Sequence, residues 1–396
     1  MKSRLRTATR YFSRALLLAA FSAAFPFAGH TQVAGNTQAN GSQSNNLVTA
    51  VPFLLVMPDA RTGAMGDAGV AVQPDANASA INPAKLAFLK DRSGVALSYT
   101  PWLRSLTSGI DLAYLSGYYR LDERNTLGAS FRFFSLGEIP LTDNNRQDLG
   151  VYSPNELAFD ISFARMFGDE FSIGTSLRYI NSNLSTGKFT AGQEISAGNA
   201  VAVDVAGYYT TETWLFNTDT RLSAGLNISN IGTKMGYTES GAKYFLPSNL
   251  RFGGAATFSA DDLNDFTVAL DFNKLLVPTQ PVYNNDGTIY SGVDPNRSVP
   301  AGIFGSFTDA PGGFSEELQE VNIGAGFEYL YDKKFAVRGG YFYESPNKGN
   351  RRYATLGAGF TYRQTTINFS YLLANVNKSP MANTLRFSLM FNFGSN

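Results

Sequence analysis

Leu385-Arg386-Phe387-Ser388-Leu389-Met390-Phe391-Asn392-Phe393 is the stretch that decides the fold. One face carries Leu385, Phe387, Leu389, Phe391 and Phe393, and the other carries Arg386, Ser388, Met390 and Asn392. Successive side chains of a strand point to opposite faces, so this reads as a strand with one greasy side, long enough to cross a bilayer at a tilt. As the last strand of a soluble sheet it would be an edge inviting aggregation. It makes sense where it closes a barrel and its apolar face meets lipid.

The same alternation recurs from about residue 94 onward. Leu127, Ala129, Phe131 and Phe133 alternate with Gly128, Ser130 and Arg132; Leu157, Phe159, Ile161 and Phe163 alternate with Ala158, Asp160 and Ser162. Val201, Val203 and Val205 oppose Ala202 and Asp204, and Val321, Ile323, Ala325, Phe327 and Tyr329 oppose Asn322, Gly324, Gly326 and Glu328. About fourteen such segments are expected, an even number, as a single-chain bacterial barrel requires. The fold class is therefore all-β, a transmembrane outer-membrane β-barrel of antiparallel strands with an N-terminal plug-like segment.

The connections sort by length. Asp122-Glu123-Arg124-Asn125, Gly168-Asp169-Glu170, Asp332-Lys333-Lys334 and Arg363-Gln364-Thr365 are short and polar. They alternate with long links at roughly 137–154, 181–198, 233–246, 277–319, 344–351 and 374–383. Outer-membrane barrels keep short turns in the periplasm and long loops outside, so both termini are expected to be periplasmic. Tyr329, Tyr331, Tyr341 and Tyr343, with Trp102 and Trp214 at opposite rims, are expected to form interfacial aromatic girdles.

Three parts follow: a signal peptide and processing region at 1–34, an N-terminal segment at 35–93 that plugs the lumen, and the barrel at 94–396. Lys2, Arg4, Arg6, Arg10 and Arg14 precede the apolar run Ala15 to Ala28, the layout of a secretory signal. Its removal takes five of the 32 basic residues and leaves 27 against 32 acidic ones, which argues against nucleic-acid binding. Cysteine is absent and the one histidine, His30, lies beside the expected cleavage region. Thiol chemistry, disulfides and Cys/His zinc sites are excluded, and no catalytic residue, cofactor or metal is expected.

The inward faces carry both signs of charge: Arg132, Arg178, Arg221, Arg251, Arg338 and Arg386 with Asp160, Asp204, Asp271 and Glu328. A selective pore would favour one sign. The mixture reads instead as an interior network of ion pairs and hydrogen bonds.

Residues 49–93 have a different texture. Asp59 and Arg61 lead into Gly66 and Asp67, and Asn82-Pro83-Ala84 has an N-capping residue followed by proline at the first helical position. The spaced glycines lack the strand–loop–helix setting of a phosphate loop. Met57 to Arg61, Met65 to Ala71 and Asn82 to Phe88 together resemble the N-terminal region of the PorV (LptO) family of the type IX secretion system in Bacteroidota, within the wider FadL-like barrels. Ile81 stands where related plugs often carry an aromatic. The resemblance implies a fourteen-strand barrel that is not an enzyme. It also implies binding of secreted cargo through a C-terminal signal domain at a SprA/Sov-like translocon, and delivery to a PorU-like sortase attachment complex. Outer-membrane lipid and lipopolysaccharide would surround it.

The link at 277–319 is the candidate partner-binding loop. It carries Tyr283, Tyr290, Ile303, Phe304, Phe307 and Phe314, too many apolar side chains for a solvated tether. Either it folds over the mouth and buries them, or they form a docking surface. Two other functions compete with the secretion role. A FadL-like transporter of hydrophobic small molecules would need an apolar pocket near the plug. A lipid A deacylase would need an activated serine, and no histidine remains in the mature chain.

Overall fold

In the computed structural model the described residues are 47–103, 109–142, 148–184, 196–238, 241–284, 286–374 and 381–394. The signal region 1–34, the start of the N-terminal segment, and much of the 181–198 and 374–383 loops lie outside them.

Fourteen strands form the wall: β1 Ser93–Pro101, β2 Ile110–Arg120, β3 Asn125–Leu136, β4 Asn155–Phe167 and β5 Phe171–Asn183. β6 Gly198–Leu215, β7 Thr218–Gly232, β8 Asn249–Asp261, β9 Asn264–Leu275 and β10 Val321–Tyr331 follow. β11 Phe335–Tyr343, β12 Arg352–Tyr362, β13 Thr365–Leu373 and β14 Leu385–Phe393 complete it. Each pairs antiparallel with its chain neighbours, and β14 closes on β1 with Leu97 opposite Leu389 and Ser98 opposite Ser388. Closure leaves no edge, the condition for a sheet to exist in hydrocarbon.

Alternation sets the two faces. On β14, Phe387, Phe391 and Phe393 face outward and exposed while Arg386, Ser388 and Met390 are buried. The six short links all fall at one end and the long links at the other, so β1 starts and β14 ends at the short-turn rim. The link after β3 contains a small hairpin, Ile139–Thr142 with Asp148–Tyr152. The link after β9 contains another, Val282–Tyr283 with Ile289–Ser291, then the short helices Val299–Gly305 and Phe314–Gln319.

The girdle expectation needs one correction. Tyr331, Tyr341 and Tyr343 are exposed on the outer face and Trp214 is exposed near the short-turn rim, but Trp102 does not join them. Trp102 packs half-buried inside the long-loop mouth, beside the clusters of Leu112 with Phe134 and Phe342 with Tyr353. Trp214 lies in the run Glu212 to Leu215, which is exposed throughout. It sits where the β6–β7 hairpin runs on past Tyr209, the last residue of β6 paired with β5. Rim position along the chain does not fix which way a ring points.

Candidate functional site

Residues 50–92 run through the lumen from rim to rim. At the long-loop mouth the Ala50 amide donates to the Phe245 carbonyl (2.9 Å), and the Phe53 ring stacks on Phe134. At the short-turn rim the Arg120 guanidinium donates to the Lys90 carbonyl (2.6 Å) and the Arg92 amide to Gly394.

Between these ends the segment is fixed by charge. Asp59 caps a one-turn helix, Ala60–Ala64, by accepting from the Thr62 amide (2.7 Å), and the Ala60 amide donates to Ser388 Oγ. Arg61 reaches across to β10, where its fork meets both Glu328 oxygens at 2.9 and 3.0 Å. Arg338 of β11 donates to the same carboxylate (2.5 Å), and Arg61 also holds Asp75 and the Gln73 carbonyl. One carboxylate thus ties plug and wall together, and truncating it would leave two buried guanidiniums short of a partner.

Gly66 carries a tight turn against the wall. Its φ of 64° suits glycine, and an added Cβ would sit 2.5 to 2.6 Å from backbone atoms of Tyr341 and Ala325. Asp67 accepts from the Tyr353 hydroxyl (2.7 Å), with Arg386 3.9 Å away. Asn82 accepts from the Ala84 amide and donates to the carbonyls of Val70 and Gly207, both at 3.1 Å. The turn it caps, Pro83–Phe88, is a 3-10 helix, a form used in short pieces. Ala84 rests on the wall, its carbonyl accepting from Ser172 Oγ (2.7 Å).

Sequence reasoning missed the other half of this contact. A Cβ on Gly174 would lie 2.3 Å from the Ala84 nitrogen, one on Gly225 2.2 Å from the Val70 oxygen, and one on Gly340 2.1 Å from the Gly66 nitrogen. These inward glycines let plug backbone lie directly on strand backbone. Asp271 and Lys85 were also missed as plug anchors: Asp271 accepts from the amides of Gly69 and Val70, and Lys85 Nζ donates to the Gly69 carbonyl. The signal was present in Gly324, Gly326 and Gly340 at inward positions, but nothing in a single strand says what lies against it.

The cap built by the link after β9 is the second candidate region. Lys274 Nζ, at the end of β9, donates to Glu317 (2.8 Å) and Glu320 (2.6 Å); Lys348 Nζ, from the link after β11, donates to Glu320 (3.0 Å) and Glu316 (2.5 Å). Thr279 Oγ1 adds a bond to Glu320. Burial pushes the Asp309 carboxyl above the ordinary range, against the opposing pull of Arg297 at 3.9 Å. Above this network Phe304 is 79%, Phe314 76% and Tyr290 75% exposed, with Tyr283 and Phe307 also exposed and Ile303 half-buried. The plug motif and the cap aromatics therefore form two separate groups, one inside the lumen and one at the outer mouth.

Among proteins of curated function, no sequence matches this chain. Similar solved structures include the toluene transporter TodX of P. putida, 14% identical, covering 85% of this chain and 99% of that one, with a TM-score of 0.49. The CymD monoaromatic hydrocarbon channel is 15% identical, with coverage of 86% and 98% and a TM-score of 0.48. A Pseudomonas aeruginosa FadL homologue is 11% identical, with coverage of 85% and 98% and a TM-score of 0.42. The model of one family, described as type IX secretion system protein PorV, matches residues 38–282, more than half of the chain. That match takes in the whole plug and β1 to β9, and with it this outer-membrane barrel belongs to the PorV family of the type IX secretion machinery.

Proposed function

We propose that this protein is a non-catalytic docking component of type IX secretion. It binds secreted proteins through their C-terminal signal domain at a SprA/Sov-like translocon and passes them to a PorU-like attachment complex at the cell surface. The observation that carries this reading is the cap. Its aromatics stand exposed on a pedestal tied down by Lys274 and Lys348, so their display is built in rather than a by-product of a loose loop. Exposed aromatics on a fixed scaffold are the anchors protein interfaces use. In this reading the long loops face outward and the C-terminus lies in the periplasm.

The transporter alternative would need an apolar channel beside the plug. The plug instead lies backbone-to-glycine on β5, β7 and β11, with Arg61 bonded to Glu328 and the Gly69 amide to Asp271 of the wall.

The triple variant Tyr290→Ser, Phe304→Ser, Phe314→Ser tests the reading, because it leaves both lysine networks untouched. The barrel should assemble at normal levels, while translocon and cargo recovered with it in mild detergent should fall at least tenfold. Normal recovery of both partners would sink the proposal.

A further inference from the structure

The β6–β7 hairpin overshoots the wall on one side. Its strands pair without a break from Val205 opposite Ile228 to Leu215 opposite Thr218, and Phe216 (φ 51°) and Asn217 (φ 57°) make the two-residue turn. On the β7 side, β8 keeps pace as far as Ser259 opposite Asp219. On the β6 side, β5 stops at Phe171 opposite Tyr209, and the last bond runs from the Thr210 amide to the Glu170 carbonyl (2.8 Å). A strand turns its backbone groups to alternate sides, so beyond Thr210 the amides and carbonyls of Glu212 and Trp214 face the open side. Among the described residues nothing pairs with them there. Open edges are ordinarily blunted by lysine, proline or a bulge, and residues 211–215 have none of these. They display Trp214, 61% exposed, next to Phe216 at the turn, 83% exposed. Asp169, Glu170, Glu212 and Asp219 are exposed around this edge; against them stand Arg221, bonded to Glu212 at 2.9 Å, and Lys90.

We propose that the free edge of β6 at residues 211–215 takes up an added strand, an extended segment of another protein that carries lysine or arginine. Glu212 and Trp214 supply the backbone donors and acceptors of a short ladder, Trp214 and Phe216 its apolar anchors, and the acidic surround selects a basic partner. Lipid does not fit this edge. Glu212 lies between Tyr209 and Trp214 along β6, and Asp219 stands directly opposite Trp214, charges that hold the extension out of hydrocarbon. A second copy does not fit either. Two copies in one membrane run this strand in the same direction, and the two-fold axis between them would set Glu212 against Glu212, amide facing amide. A parallel ladder needs its partners offset by one residue. Where the long loops face outward, this rim and its partner are periplasmic, on the far side of the membrane from the cap; the edge itself is the same in either orientation.

The test uses the purified full-length protein in detergent and two fluorescein-labelled dodecapeptides, one alternating valine with lysine and the other valine with glutamate. Fluorescence anisotropy should show the lysine peptide binding about tenfold more tightly than the glutamate peptide. Trp214→Ala removes the ring and keeps the amide; Trp214→Pro removes the amide as well, at a position where it bonds nothing within the hairpin. Trp214→Pro should therefore bind the lysine peptide about fivefold more weakly than Trp214→Ala. Asp169→Lys combined with Asp219→Lys leaves every hairpin bond in place and should reverse the preference toward the glutamate peptide. Equal affinity of the Pro and Ala variants, equal binding of both peptides, binding of neither, or an unreversed preference overturns the proposal. A dimer in sedimentation that Trp214→Pro dissolves would give the edge to a second copy. Trp102→Phe leaves Trp214 as the one tryptophan, and its quenching in vesicles of brominated phosphatidylcholine would give the edge to the membrane. Either result also overturns the proposal.

Discussion

The plug and the cap are the two substantial segments that are not wall, and both are fixed by a shared carboxylate. In the plug, Glu328 is held between Arg61 and Arg338; in the cap, Glu320 is held between Lys274 and Lys348. What they do with that anchor differs. Small residues dominate the plug around Ala60–Ala71, which brings its backbone against wall glycines and buries every residue of that stretch except Arg61, which is partly buried. The cap places aromatics outside its charge network and hides very little of them. Identical electrostatic fastening thus serves a filler in one place and a display in the other, and the size of the neighbouring side chains makes the difference.

The comparison is most sharply broken at Glu328. Glu328→Ala should destabilise the assembled barrel by about 3–5 kcal/mol, because the buried Arg338 loses its carboxylate and Arg61 is left with Asp75 alone. Heat-modifiable mobility in detergent would show this as a lower temperature for loss of the folded band; an unchanged temperature would mean that the plug is not charge-fastened. Gly340→Val comes next. It pushes side-chain atoms into the Gly66 backbone at a site where even a Cβ stands 2.1 Å away, and overpacking of this kind typically costs about 1–3 kcal/mol. Limited proteolysis should then cut within residues 57–72, a stretch expected to resist cleavage in the unsubstituted protein because most of it is buried.

Lys348→Met is the matching change in the cap. It removes one of two cations from a cluster of three glutamates. Proteolytic cleavage of 277–319 should accelerate while the barrel's unfolding temperature stays within a degree or two. A fall as large as that of Glu328→Ala would show that cap and wall form one cooperative unit. The smallest stability effect belongs to the three exposed cap aromatics, where surface substitutions are within about 0.5 kcal/mol, so their loss of partner binding would be read against an intact barrel.

Much of this architecture was legible in the chain. Alternation at Leu385–Phe393 and its repeats gave the strands and their lipid-facing sides, because strand geometry obliges neighbouring residues to face opposite ways. The spacing of Asn82 and Pro83 located a capped turn for a similarly local reason: the Ala84 amide lies within reach of the Asn82 side chain. Trp102 leaves the expected girdle because it packs into the mouth against residues of distant strands, which no local pattern shows.

By itself, then, the sequence determined a closed antiparallel barrel, its two faces, the grouping of its short and long links, and the family. These are written in short-range order, and backbone geometry reads them directly. Only the tertiary structure decided which glycines seat the plug, which carboxylate each lysine and arginine shares, that the cap aromatics stay in the open, and that the plug enters from the long-loop mouth. Each of those joins residues far apart in the chain, such as Gly66 with Gly340 or Arg61 with Glu328. Alternation says which side of the wall a residue faces, and only closure of the barrel says what it meets there.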